Sequence, residues 1–106
     1  MTDQEATYDA LLSYAREEIR AKQLDRGEAI ARQALSVCPD KADAYNVLAV
    51  VRERQGQHGE AVNLLRAGLA LAPMYAPARV NLDALTAFPP GNILLLGDEA
   101  REGGHE

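Results

Sequence analysis

From Thr2 onward, apolar residues recur every three or four positions, the spacing that gathers one face of an α-helix. Tyr8, Leu11, Leu12, Ala15 and Ile19 form the first such stripe. Ahead of it, Thr2 and Glu5 have the spacing of a capping box, in which each residue satisfies a free backbone N–H of the other. Gln23-Leu24-Asp25 breaks the stripe. Asp25 is the expected cap of a second helix, with Glu28 three residues on. Ile30, Ala31, Ala34 and Leu35 share its apolar face. It should stop before Pro39, because the residue preceding a proline avoids helical angles. Asp40 is the expected cap of a third helix, whose apolar side is Ala44, Tyr45, Leu48, Ala49 and Val51. Gln55-Gly56-Gln57 reads as a turn. A fourth helix is expected from about His58 to Leu71, with Ala61, Leu64, Leu65, Gly68 and Leu69 inward and Pro73 closing it. A fifth, over about 75–87, carries Ala78, Leu82 and Leu85, and Phe88-Pro89-Pro90-Gly91 ends it.

The pattern repeats. Pro39 and Pro73 lie 34 residues apart and close similar helix ends. At that spacing Ala10, Ala44 and Ala78 coincide, as do Ala15 and Ala49. Gly27 falls on Ala61, Ile30 on Leu64, Ala31 on Leu65 and Leu35 on Leu69. Small residues sit where two helices of a hairpin cross closely, and large aliphatics where layers interdigitate. A helix–turn–helix unit of this length cannot bury its apolar face alone, so units stack.

The segment 40–73 resembles the tetratricopeptide repeat family. Leu48-Ala49 stands at the family's Leu-Gly pair, Gly56 at its turn glycine, and Ala61 at the small residue opening the second helix. Gly68 stands at its later small residue, Pro73 at its closing proline, and Tyr45 in place of its tryptophan. The first unit, 8–39, is looser: Leu11 replaces the tryptophan, Tyr14-Ala15 the Leu-Gly pair and Lys22 the turn glycine. The large aromatic usual three residues after the pair is replaced by Glu18 and by Arg52. Those two are opposite in charge at equivalent places, and are expected to face each other in a pair worth under about 1 kcal/mol. The resemblance implies an all-α fold of about two and a half helix–turn–helix units stacked as a short right-handed superhelix. The units are about 8–39 and 42–73, with a capping helix over 75–87, inside a helical domain 1–88 followed by a tail 89–106.

Composition narrows the function. The net charge of −5 argues against a general nucleic-acid binder and against anionic membrane surfaces. The longest apolar run, Ile93-Leu94-Leu95-Leu96, is far short of a membrane span. The acidic start, Met1-Thr2-Asp3-Gln4-Glu5, is unlike a secretion signal. One cysteine, Cys38, cannot form an internal disulfide, and a cytoplasmic location is expected. Nine arginines against two lysines, with many alanines, suit a GC-rich bacterial genome.

Candidate chemistry is sparse. His58 opens the fourth helix as a turn residue and His105 lies in the tail, neither at metal-ligand spacing from a Cys or Asp. Cys38 has no histidine in its helix and reads as an inert thiol. Gly56-Gln57-His58-Gly59 lacks the Gly-Lys-Ser/Thr ending of a phosphate loop. Glu17 and Glu18 point about 100° apart on a helix and cannot act together. No catalysis, cofactor or metal is expected.

Binding remains. In tetratricopeptide proteins the first helix of each pair lines a concave ligand surface. Carried over by position, this implies Asp9, Leu12, Arg16, Ile19 and Arg20 from the first unit. Asp43, Asn46, Val50, Glu53 and Arg54 follow from the second, and Val80 and Ala84 from the fifth helix. Arg16, Arg20 and Arg54 could hold a carboxylate bidentately. The simpler account is that acids near helix starts and arginines near helix ends complement the helix dipole, at about 0.3–1 kcal/mol each. The chaperone-binding members clamp a C-terminal carboxylate with Lys and Asn. Leu12 and Pro77 occupy two of the lysine places here, so that clamp is absent.

The tail leaves three arrangements open. Asn92 could cap a degenerate helix running to about Glu102, against the cost of Gly97 inside it, about 1 kcal/mol. The segment could instead dock extended in the groove, with its leucines on Leu12, Ile19 and Val50 and the arginines on Asp98 and Glu99. It could also be unstructured. The expected function is an adaptor that holds an unknown peptide or protein segment on its concave face. The alternative is a self-associating homo-oligomer or assembly subunit, joined through exposed repeat ends or the apolar tail.

Overall fold

The computed structural model describes residues 1–88, 90–91 and 94–99. It contains five α-helices: α1 (Asp3–Arg20), α2 (Leu24–Val37), α3 (Ala42–Arg54), α4 (His58–Leu71) and α5 (Ala76–Thr86). No strand occurs among the described residues, so the fold is all-α. Three-residue connections make antiparallel hairpins of α1 with α2 and of α3 with α4. The helix α3 touches every other helix, while α2 and α4 do not touch each other. Thus α1, α3 and α5 form one layer, and α2 and α4 a second.

The helix ends follow from local chemistry. Thr2 and Glu5 form the full capping box: Thr2 Oγ1 accepts the Glu5 N–H at 3.1 Å and Glu5 Oε1 accepts the Thr2 N–H at 2.9 Å. Both hairpins turn in the same way. Gln23 N–H donates to Glu18 O and Lys22 N–H to Ile19 O; one hairpin later, Gln57 N–H donates to Arg52 O and Gly56 N–H to Glu53 O. Each turn needs one left-handed residue, which is Lys22 at φ 66° in the first and Gly56 at φ 80° in the second. Glycine has no Cβ to clash there, whereas lysine does.

Two expected caps are absent. Gln23 and Lys41, not Asp25 and Asp40, precede the first turns of α2 and α3, and neither makes a side-chain cap bond. Asp25 lies inside the first turn, where its charge suits the positive helix end. The Glu18–Arg52 contact is also absent, because each side chain turns toward the second helix of its own hairpin. Glu18 meets Arg26 at 3.4 Å, and Arg52 meets Glu60 at 3.0 Å. The same pair recurs with its charges exchanged. Arg52 also holds Glu28 of the first hairpin at 2.8 Å.

Two apolar clusters meet at α3. One joins α1, α2 and α3 through Tyr8, Leu12, Ile19, Ala31, Val47 and Val50, and includes Leu96 from the tail. The other joins α3, α4 and α5 through Ala49, Ala61, Leu65, Ala78 and Leu85. Leu94 packs against both. The described residues beyond Thr86 contain no helix. Asn92, the expected cap of a tail helix, lies outside the described residues, as do Ile93 and 100–106. No described helix is long and apolar enough to cross a membrane.

Candidate functional site on the α1–α3–α5 layer

The free face of the α1–α3–α5 layer carries residues 94–99 as a non-helical segment that bends at Gly97. Its centre is Leu95. Asn81 of α5 reads both polar groups of that residue: Nδ2 donates to Leu95 O at 2.8 Å, and Oδ1 accepts the Leu95 N–H at 2.8 Å. Asn46 of α3 donates to the same carbonyl at 3.0 Å, and its Oδ1 accepts a bond from Asn81 Nδ2 at 2.8 Å. Both asparagines are fully buried, so each needs these partners. The result is a rigid pair of amides aimed at a peptide unit.

Toward α1 the contacts become charged. Arg16 Nε donates to Leu96 O at 3.0 Å. Arg20 places its fork on both carboxylate oxygens of Asp98, with Nη1 to Oδ2 at 3.0 Å, and reaches Glu99 at 3.3 Å. Bidentate guanidinium–carboxylate pairs are stronger and better oriented than single bonds. Glu99 folds back to accept the N–H groups of Leu96 at 2.7 Å and Gly97 at 2.9 Å. The hydrogen bond from Arg20 holds the Asp98 carboxyl below its ordinary range. Burial pushes Glu99 upward, but the backbone N–H groups of Leu96, Gly97 and Glu99 itself together leave it lowered.

The residues expected to line a groove do not act together. Arg16, Arg20 and Asn46 touch the tail directly. Leu12, Ile19 and Val50 are fully buried and share the core cluster of Leu96, forming a floor and not an open wall. Glu53 and Arg54 go elsewhere: Glu53 meets His58 Nδ1 at 3.1 Å, and Arg54 Nη1 donates to Ile19 O at 3.4 Å, at the end of α1. Asp43 accepts the Tyr8 hydroxyl at 3.4 Å, Asp9 is exposed, and Ala84 O accepts the Gly91 N–H at 2.8 Å. Val80 is half exposed and, with Tyr75, Pro77 and Leu95, lines an open groove of about 550 Å³ beside the tail.

Two participants were not expected. One is Asn81, which falls 34 residues after Val47, a fully buried core position. The same register holds Ser13 in the first unit, so a polar residue at 81 did not stand out in the sequence. The other is Tyr75. Its hydroxyl is buried beside Gly97 with no hydrogen-bond partner among the described residues. Burial, with the charge of Asp43 adding to it, pushes this phenol up to about 12.

Chemically the arrangement offers amide recognition, guanidinium forks and an apolar floor. Among the described residues no three His, Cys, Asp or Glu side chains converge as a metal site. Against protein-family models, curated proteins and solved structures, the chain has no match.

Proposed function

We propose that this chain is a tetratricopeptide-like interaction module: about two and a half helix–turn–helix units stacked as a short right-handed superhelix. Its function is to hold an extended peptide or protein segment on the α1–α3–α5 face, without catalysis, in the cytoplasm. The observation that carries the reading is the grip of Asn46 and Asn81 on the main chain of Leu95. Main-chain hydrogen bonds supply affinity for any extended segment, and flanking pockets supply selectivity. The Arg52 network, by contrast, joins side chains of α2, α3 and α4 and grips no main-chain group.

The test is affinity selection of random peptides on the full chain, followed by amide and side-chain NMR mapping of a selected peptide. The expected outcome is perturbation of Arg16, Asn46 and Asn81. Perturbation confined to the α2–α4 side around Arg52, or failure to select any peptide, contradicts the reading.

A second reading has its own observation. Met74 and Phe88 are over nine-tenths exposed, and Val80 is half exposed, at the end of the stack, where no further helix among the described residues follows α5. Exposed apolar patches of this kind favour association. A homo-oligomer joined there would double the monomer mass in light scattering, and a monomer across the micromolar range would remove this reading.

A further inference from the structure

The tail spells out, position by position, what the inner face accepts. At position 95 only the main chain is gripped; the side chain is half-buried and borders the open groove lined by Tyr75, Pro77 and Val80. A larger apolar side chain has room there. At position 96 the side chain is 2% exposed among Tyr8, Leu12 and Ile19, which requires an aliphatic group of leucine size. Position 97 requires glycine twice over. Its φ is +108°, and a Cβ would lie 2.5 Å from Tyr75 Oη and 3.0 Å from Arg16 Nη2. Position 98 presents a carboxylate to the Arg20 fork. Position 99 supplies the carboxylate that closes on the N–H groups of residues 96 and 97.

We propose that the inner face is a receptor for a segment of another protein that runs apolar–Leu–Gly–Asp–Glu and bends at the glycine, and that residues 94–99 of the chain itself are the resident competitor. This rests on the reading of the inner face as a binding surface. Charge supports it: the chain carries a net −5, yet Arg16, Arg20, Lys22 and Arg54 gather at this edge, where acids are received. The tail follows α5 after only a few residues, so its effective concentration is about millimolar. An outside segment must therefore exceed it by adding contacts. The groove beside Leu95, filled by a bulkier apolar residue, is where those contacts are available.

The test uses the full chain carrying Asp98→Arg, which weakens the resident tail at a surface position. Its probe is a fluorescein-labelled synthetic peptide of sequence 90–99, read by anisotropy, with circular dichroism reporting the helices. The peptide should bind this variant at least about tenfold more tightly than it binds the wild-type chain, the scale of one charge-assisted fork. Peptides carrying Gly97→Ala or Asp98→Arg should each lose at least about tenfold. Equal binding of the three peptides, or none by a helical variant, overturns the proposal. If Asp98→Arg lowers helix content, Arg20→Asp in the chain is paired with the Asp98→Arg peptide; the exchanged charges should restore binding, and their failure to do so also overturns it. Wild-type dimers held by exchanged tails would place a second copy in the groove and overturn the assignment to another protein. Random peptides that perturb Asn46 and Asn81 while the 90–99 peptide does not bind would sink this inference and leave the broader function standing.

Discussion

Arg52 on the outer side and Asn81 on the inner side are both mostly or wholly buried polar residues at the centre of a network, and the two networks differ in what they hold. Around Arg52, the guanidinium joins Glu28 of α2 and Glu60 of α4 at 2.8 and 3.0 Å. A third partner is Gln55 in the turn after α3, so every partner is a side chain of one of the two hairpins. The network ties one hairpin to the next. Around Asn81, the amide bonds the main chain of Leu95, a residue on no helix. Peptide groups are common to all chains, and this is the ground on which the inner side is proposed as the binding surface.

The largest expected effect comes from breaking the inner side. Asn81→Ala leaves the Leu95 N–H and Asn46 Oδ1 without partners, at about 1–3 kcal/mol each, for a loss of about 3 kcal/mol in urea unfolding. If the tail lifts away instead, the helices keep their stability and the Leu96 methyl signals shift to solvent-exposed positions. Arg52→Ala should cost about 2 kcal/mol, since it removes two charged hydrogen bonds from a Glu28 side chain that is only 20% exposed and that Arg32 alone then holds, and it should leave the tail in place.

Acid titration sharpens the contrast. Hydrogen bonds from Arg52, followed by those from Arg32, hold Glu28 at about 2 against its ordinary 4.5. A lowered carboxyl contributes stability above its ordinary value and loses it as pH falls toward the folded value. Glu28→Gln should therefore flatten the loss of stability between pH 4.5 and 2 measured by urea unfolding. The tail carboxylates Asp98 and Glu99 are lowered too, so acid release of the tail should persist in that variant. The smallest effect belongs to Arg20→Ala. Its side chain is 45% exposed, and solvent screening limits the loss to about 1 kcal/mol, seen as a small drop in Tm.

The helices were legible because each has an apolar stripe of helical period. The α4 limits agree with the expected His58 to Leu71, and α5 begins and ends one residue inside its expected span. Caps were less legible. Aspartates at 25 and 40 have the right chemistry, but the turns place Gln23 and Lys41 at the boundary. At the site, Arg16, Arg20 and Asn46 could be placed because the 34-residue register fixes which positions share a face. Asn81 could not, because that register pairs Asn46 with Val80, one residue and about 100° away. The tail meets α5 at a rotated position that no spacing within the repeats encodes. Its non-helical docking depends on long-range contacts, and its leucine run is equally compatible with a short helix by periodicity alone.

The central claim is that Asn81 grips the main chain of Leu95 in solution. Amide hydrogen exchange at Leu95 in the full chain tests it most directly, because protection there can come only from that bond. The account predicts exchange at least about a hundredfold slower than an unstructured amide, with protection abolished in Asn81→Ala while α3 amides remain protected. Exchange of Leu95 at the unstructured rate, with the α3 amides protected in the wild-type chain, would contradict it.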